Sequence, residues 1–336
     1  MKKSFVFTYF NLKWDIITGI YLGVCFTMKK LFLFILIAWL FASPCVAGEK
    51  LNVVATIFPV YDWAREILGD KAELTLLLDK GVDLHSYQPT VEDMIKISNC
   101  DVFIYVGGES DEWVNDALKN SANNSQRAAN LLEILGSSVK PEEIVEGMEH
   151  EYEHEHEHEA DEHVWLSLKN ACAVCKYISE LISDIDPENR GLYRANAENY
   201  IKELSELDAE YKKVIDASER RVFLFGDRFP FRYLADDYGL KYYAAFSGCS
   251  AETEASFETV IFLAKKVDEL KLPCVLTIEN PRHKIAETII ASTAEKNQSV
   301  LSLNSMQSTT MKDIREGATY LSIMQKNLDT LKTALN

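Results

Sequence analysis

The sequence predicts an α/β protein of two lobes, each a mostly parallel sheet flanked by helices, joined by a long interdomain helix. Three observations carry this. Short apolar runs alternate with helical periodicities, the alternation breaks once and restarts, and an uninterrupted helical pattern of about 30 residues fills the break. A length of 336 residues suits two domains, and 22 Gly plus Pro with 47% hydrophobic residues exclude collagen-like and largely disordered chains.

Taken in order, Lys29 and Lys30 precede an apolar run over 31–42 and then Ser43-Pro44-Cys45-Val46-Ala47. This basic, apolar, small-residue order is that of a secretory signal, so residues 1–47 are expected to be removed after Ala47, with Met28 a possible start. The alternatives are a membrane anchor formed with the apolar run over 16–26, and lipidation of Cys45, which Pro44 disfavours. The first lobe, 48–185, has expected strands over 51–57, 73–78 and 101–106. Its expected helices begin near Pro59, span 90–98 and 110–118, and resume near Ser167. Asp186-Pro187 reads as a helix start, and Tyr193, Ala197, Tyr200, Leu204, Leu207, Tyr211 and Val214 recur every three or four residues. Residues 186–218 are therefore the linking helix, about 45 Å long at 1.5 Å per residue. The second lobe, 219–336, repeats the alternation with strands over 221–225, 241–246, 274–278 and 299–303. Helices are expected over 230–238, 256–270 and 283–296, and from about Met311.

Lys and Arg total 35 against 52 Asp and Glu, a formal charge of −17; because the first 47 residues hold five Lys and one Asp, the remainder carries −21. Such a surface repels phosphate backbones and anionic headgroups, which excludes nucleic acid as a partner and favours cations. Beyond residue 47 there are five Cys, an odd number that cannot pair completely. Cys172 and Cys175 fall inside a helical periodicity with no second CxxC, so they read as packing residues rather than a zinc or redox motif.

Four of the seven His lie in one acidic run, His150, His154, His156 and His158, within a segment over 142–162 that holds 11 acids. That composition predicts a mobile loop whose imidazoles and carboxylates bind metal loosely. His85 is expected in a loop after a strand and His163 where the acidic run gives way to an apolar helix. Ligands of open parallel sheets gather at the carboxyl ends of strands, where such loops sit.

Asp83-Leu84-His85-Ser86-Tyr87-Gln88-Pro89-Thr90 resembles the first ligand loop of the solute-binding proteins of zinc and manganese ABC transporters, the cluster A-I family. Glu162-His163-Val164-Trp165-Leu166-Ser167 resembles the second, and Val54-Ala55-Thr56-Ile57-Phe58-Pro59 the first strand. The resemblance covers the chain from Leu51 to its end and implies that His85 and His163 are metal ligands. It also implies that the His-rich insertion marks a zinc member and that Glu279 is a cleft-facing acid. At the family's third ligand position, ten residues before Tyr238, stands Arg228, whose guanidinium offers no lone pair. A family branch with the same Gly-Asp-Arg-Phe-Pro-Phe run carries His-x-x-His in a later loop, but here that loop reads Asn304-Ser305-Met306-Gln307. A guanidinium about 6 Å from a divalent ion at an effective dielectric of ~20 is repelled by about 5 kcal/mol, so either Arg228 turns away onto a carboxylate such as Asp227 or Glu279, or high affinity is lost.

The expectation is therefore a non-enzymatic, exported, monomeric binding protein, periplasmic or on the outer face of the cytoplasmic membrane. It captures Zn2+, with Mn2+ second, and delivers it to an ABC permease. His85 and His163 supply nitrogen ligands, with Asp227 and Gln307 as further candidates. The alternatives are an exported zinc buffer or surface attachment protein and, third, a zinc-dependent hydrolase, for which no HExxH, nucleophile elbow or phosphate loop is present.

Overall fold

The computed structural model describes residues 50–148, 160–248, 254–279 and 283–336; the expected signal segment and His150, His154, His156 and His158 lie outside the described residues. Its first half runs β1 (Leu51–Ala55), α1 (Phe58–Leu68), β2 (Ala72–Leu76), α2 (Val91–Asn99), β3 (Val102–Tyr105), α3 (Val114–Lys119), β4 (Arg127–Asn130), α4 (Leu131–Leu135) and α5 (Leu168–Ile185). After α6 (Arg190–Ala217) come β5 (Val222–Phe229), α7 (Arg232–Tyr238), β6 (Lys241–Ser247), α8 (Phe257–Leu270), β7 (Cys274–Thr277), α9 (Lys284–Ser292), β8 (Ser299–Ser302), α10 (Met311–Arg315) and α11 (Tyr320–Ala334).

The strands form two four-stranded sheets, β2-β1-β3-β4 and β6-β5-β7-β8, with every pairing parallel. The second order repeats the first. β3 and β7 are buried at every residue, as expected of parallel strands covered on both faces. In each sheet the order reverses beside the first strand of the lobe, between β1 and β3 and between β5 and β7. Such switch points are where loops at the carboxyl ends of strands separate and leave a crevice.

α6 buries Tyr193, Ala197, Tyr200, Leu204, Leu207, Tyr211 and Ile215, one stripe along 28 residues. Near one end, Asn196 Nδ2 donates to the Ile67 carbonyl on α1; further along, Tyr211 Oη donates to the Met324 carbonyl on α11 at 2.6 Å. One apolar core runs from the first sheet past α5, α6 and α11 into the second sheet. A smaller core, including Leu224, Leu263, Val267, Val275 and Ile289, fills the other face of the second sheet.

Four expectations need correction. The linking helix starts at Arg190 rather than at Asp186-Pro187, because the Asp186 carboxylate accepts from Asn189 and from Tyr193 Oη and so holds a turn ahead of the helix. The stripe ends on Ile215, with Val214 only half-buried. β4 is not marked in the sequence, since Arg-Ala-Ala-Asn is short and weakly apolar and its pairing with β3 is what makes it a strand. The last helix is two, separated near Gly317, whose φ of 100° interrupts helical geometry. The four described Cys beyond residue 47, Cys100, Cys172, Cys175 and Cys274, are free thiols; Cys172 and Cys175 lie on α5, with Cys175 fully buried, as their periodicity implied.

Candidate metal centre

His85 and His163 sit on loops at the carboxyl-end side of the first sheet, whereas Asp227 lies within β5 and Gln307 in the loop after β8. After β2 the chain turns through a short 3-10 segment, Leu84–Ser86, whose N-cap Asp83 accepts the His85 N–H at 3.0 Å. His163 precedes a second 3-10 segment, Val164–Leu166, and its backbone N–H donates to Asp161 Oδ1 at 2.9 Å. Each histidine is thus held by a carboxylate two residues before it.

These loops bring together side chains 78 residues apart, with His85 Nε2 3.2 Å from His163 Nε2. The opposite nitrogens are anchored. His163 Nδ1 lies 2.8 Å from Asp161 Oδ1, and His85 Nδ1 lies 2.8 Å from Ser110 Oγ, with Glu162 Oε2 at 3.6 Å. Facing a carboxylate, His163 Nδ1 donates, which leaves the His163 Nε2 lone pair to accept from His85 Nε2–H. His85 Nδ1 then accepts from the Ser110 hydroxyl. Burial pushes His85 down to about 4, and His163 beside it adds to this, so its imidazole is neutral and its contact with Glu162 is not an ion pair. Glu162 is raised above the usual carboxylate range, first by burial, while Ser110 N–H donates to its Oε1 at 2.9 Å. The nearby Gly108 has a φ of 83°, and a Cβ there would collide with the Glu162 carboxylate.

The spacing suits a metal. Two Zn–N bonds of about 2.0–2.1 Å at a tetrahedral angle place their nitrogens about 3.3 Å apart, close to the separation already present between the two Nε2 atoms. Among the described residues, however, no three His, Cys, Asp or Glu side chains are placed so that they could hold one metal ion together.

The acidic segment over 142–162 is not wholly a solvated loop. Pro141 bridges Ala160, Met148 is buried, and Asp161 and Glu162, only 3% and 2% exposed, form the floor behind the two imidazoles. Runs of acids signal solvent, and the exception here arises because these two carboxylates find donors on Ser110 and His163.

The second sheet contributes a different set. Between Phe225 and Arg228 the pairing of β5 with β6 shifts register, a bulge that re-aims the strand end. Arg228 turns onto a carboxylate, as expected, and that carboxylate is Asp83: the guanidinium meets its Oδ2 at 2.8 Å across 145 residues. Burial would raise Asp83, but Arg228 and His85 together hold it below its usual range. Asp227 accepts the Arg228 N–H at 2.9 Å and is raised, chiefly by burial. Glu279 accepts from the Ser305 N–H at 2.7 Å and from the Ser305 and Ser308 hydroxyls. Gln307 is buried, its Nε2 without a hydrogen-bond partner. Among the described residues no hydrogen bond or ion pair joins Asp227 or Gln307 to either histidine. Sequence reasoning missed Ser110, Asp83 as a partner of Arg228, and Asp161 as a partner of His163. Only the Asp-x-His spacing, present in both loops, could have signalled the last.

Comparison with known proteins identifies the family. Residues 53–334 match the family described as ZnuA, zinc-uptake complex component A, periplasmic. The chain belongs to this family. It is similar to the zinc-binding lipoprotein AdcA of Streptococcus pneumoniae, 32% identical over 293 residues that cover 85% of this chain and 56% of AdcA. The chain therefore spans about half the length of the first curated relatives it matches. It is also similar to the high-affinity zinc uptake system protein ZnuA of Bacillus subtilis, 32% identical over 86% of this chain and 88% of that protein. The solved Zn(II)-bound ZnuA-like domain of S. pneumoniae AdcA superposes with a TM-score of 0.67 at 28% identity, over 85% of this chain and 99% of that one. These family relatives are named as zinc-binding or zinc-uptake proteins and not as enzymes, which sets the hydrolase alternative aside. Among the described residues no helix is long and apolar enough to cross a membrane.

Proposed function

We propose that this chain captures a divalent transition metal outside the cytoplasm, Zn2+ first and Mn2+ second, and hands it as a monomer to an ABC permease after removal of residues 1–47. The observation that carries the reading is the pair of Nε2 atoms at chelating distance, each on a ring whose other nitrogen is anchored. Zinc-binding and zinc-uptake names of the relatives support the choice of metal. Capture requires one proton to move. The ion displaces the His85 Nε2 proton, the ring takes the Nδ1–H tautomer, and that N–H donates to Ser110 Oγ, with Glu162 behind it. No net proton leaves the pair, so the neutral imidazoles exchange a mutual hydrogen bond for two metal bonds. His150, His154, His156 and His158 would raise the local metal concentration, with Asp227 and Gln307 completing the shell. Titration of the purified chain with competing Zn2+ and Mn2+, beside His85→Ala and His163→Ala, tests this; unchanged affinity in both variants would refute the site.

A second reading, an exported zinc buffer or surface attachment protein, draws on Arg228 standing where the family places a ligand. Restoration of zinc-limited growth by this chain in a bacterium lacking its own zinc-binding component would reject it.

A further inference from the structure

The second lobe repeats more of the first than its strand order. β2 and β6 hold the same edge position in their sheets, and each leads into a capped helix, α2 and α8. The two helices open alike. Thr90 Oγ1 accepts the Asp93 N–H and Ser256 Oγ the Thr259 N–H, and each cap is followed by an apolar residue and then a glutamate, Val91-Glu92 and Phe257-Glu258. Both apolar residues are bare, Val91 at 78% and Phe257 at 75% exposed. One turn further stand Ile95, also exposed, and Ile261, half-buried. Among the described residues six large apolar side chains are exposed, and four of them, Val82, Val91, Ile95 and Phe257, lie on the segments after β2 and β6. One exposed apolar residue needs no explanation, whereas the same feature at the same place in both lobes does.

Both helices start on the carboxyl-end side of their sheets, the side that carries the histidine pair. His85 lies in the loop that leads into α2. A Cβ on Gly248, just past β6, would stand 3.0 Å from His163 Cε1, so the connection toward α8 begins against the other imidazole. A protein that receives the ion has to cover this side of both lobes. The charge here selects its chemistry. Glu92 is largely exposed, with Lys96 Nζ at 3.0 Å, and Glu258 is exposed on the second lobe. A second copy of this acidic chain would set like charges against these, and anionic lipid would be repelled as well. We infer that α2 and α8 together dock the exported face of the permease, with Val91 and Ile95 from one lobe and Phe257 and Ile261 from the other entering apolar pockets edged by Lys or Arg. This rests on the reading of the chain as a donor to a permease.

The test is zinc uptake by the bacterium that makes this chain, with the chain replaced by a Val91→Ser, Phe257→Ser double variant, beside calorimetric zinc titration and sedimentation of the purified proteins. The double variant should bind zinc within about twofold of wild type and lower the initial uptake rate at least about tenfold. Leu192→Ser, at an exposed apolar residue of α6, should leave uptake unchanged. Full uptake with the double variant would overturn the inference, and so would an equal loss with Leu192→Ser or a matching loss of zinc affinity. A wild-type dimer that the double variant fails to form would also overturn it, by giving the surface to a second copy. In these cases delivery to a permease stands. If wild type binds zinc yet supports no uptake above cells lacking the chain, the delivery reading falls and this inference with it.

Discussion

The two sheets share one strand order, yet the loops at their carboxyl ends do opposite work. On the first sheet, His85 and His163 point their Nε2 atoms at each other, and everything around them, Ser110, Asp161 and Glu162, holds the far side of the rings. On the second sheet, polar groups at the equivalent strand ends turn onto their own scaffold or across to Asp83: Asp227 onto its own strand, Glu279 onto Ser305 and Ser308, Arg228 onto Asp83. A repeated topology therefore sets where a site lies and leaves its chemistry to individual side chains. The nitrogen donors belong to one half and the electrostatic setting to the other.

The sharpest way to break this contrast is to remove a donor from each half. His85→Ala or His163→Ala should weaken zinc binding by at least about a thousandfold, or ~4 kcal/mol, in calorimetric titration. Asp227→Asn, at a weaker candidate for the shell, should cost at least about tenfold less than either; an equal loss would put the second half on a par with the first as a ligand donor and dissolve the contrast.

Next in size is a test of how the halves are joined. Asp62 on α1 accepts the Tyr320 N–H at the start of α11 and pairs with Arg65 at 2.6 Å. Burial raises its carboxyl to about 6 against these contacts. The folded state thus holds the proton more tightly than the unfolded one, so this group's contribution is fully present below about pH 4 and is lost as pH rises through about 6. The loss is on the order of 3 kcal/mol. Chemical denaturation at a series of pH values should show that slope, and Asp62→Asn should flatten it; an unchanged slope would mean the carboxylate is ionised throughout.

Within the first half, Asp161→Asn should reduce zinc affinity about 10- to 100-fold with the fold retained, because the carboxylate that fixes the His163 tautomer is replaced by an amide that can present either a donor or an acceptor. Within the second, Arg228→His should raise affinity about tenfold, or ~1.4 kcal/mol, by adding a nitrogen and removing a positive charge. No change on Arg228→His would show that this position faces away from the ion. The smallest effect is expected from deleting residues 149–159: stability within about 0.5 kcal/mol of wild type, with weak zinc equivalents lost and the tighter site kept. Loss of all binding would place the metal on the acidic run instead of the histidine pair.

Local pattern determined much of this protein. Alternating apolar runs and helical periodicities identified seven of the eight strands among the described residues, and the stripe from Tyr193 to Tyr211 marked the long helix, because these signals repeat over a few residues and need no partner. His85 and His163 were also legible, since each lies in a short motif at a loop-to-helix junction. Other features were decided only by tertiary structure, each depending on a group distant in the chain. β4 is a strand because β3 is beside it, and Asp161 and Glu162 leave solvent because Ser110 and His163 receive them. Arg228 meets Asp83 because packing brings the end of β5 beside the loop after β2, 145 residues away in the chain. The meeting of the two Nε2 atoms belongs to the same class. Periodicity reports which face of an element is apolar, whereas the approach of two polar side chains from separate loops follows from how the elements pack.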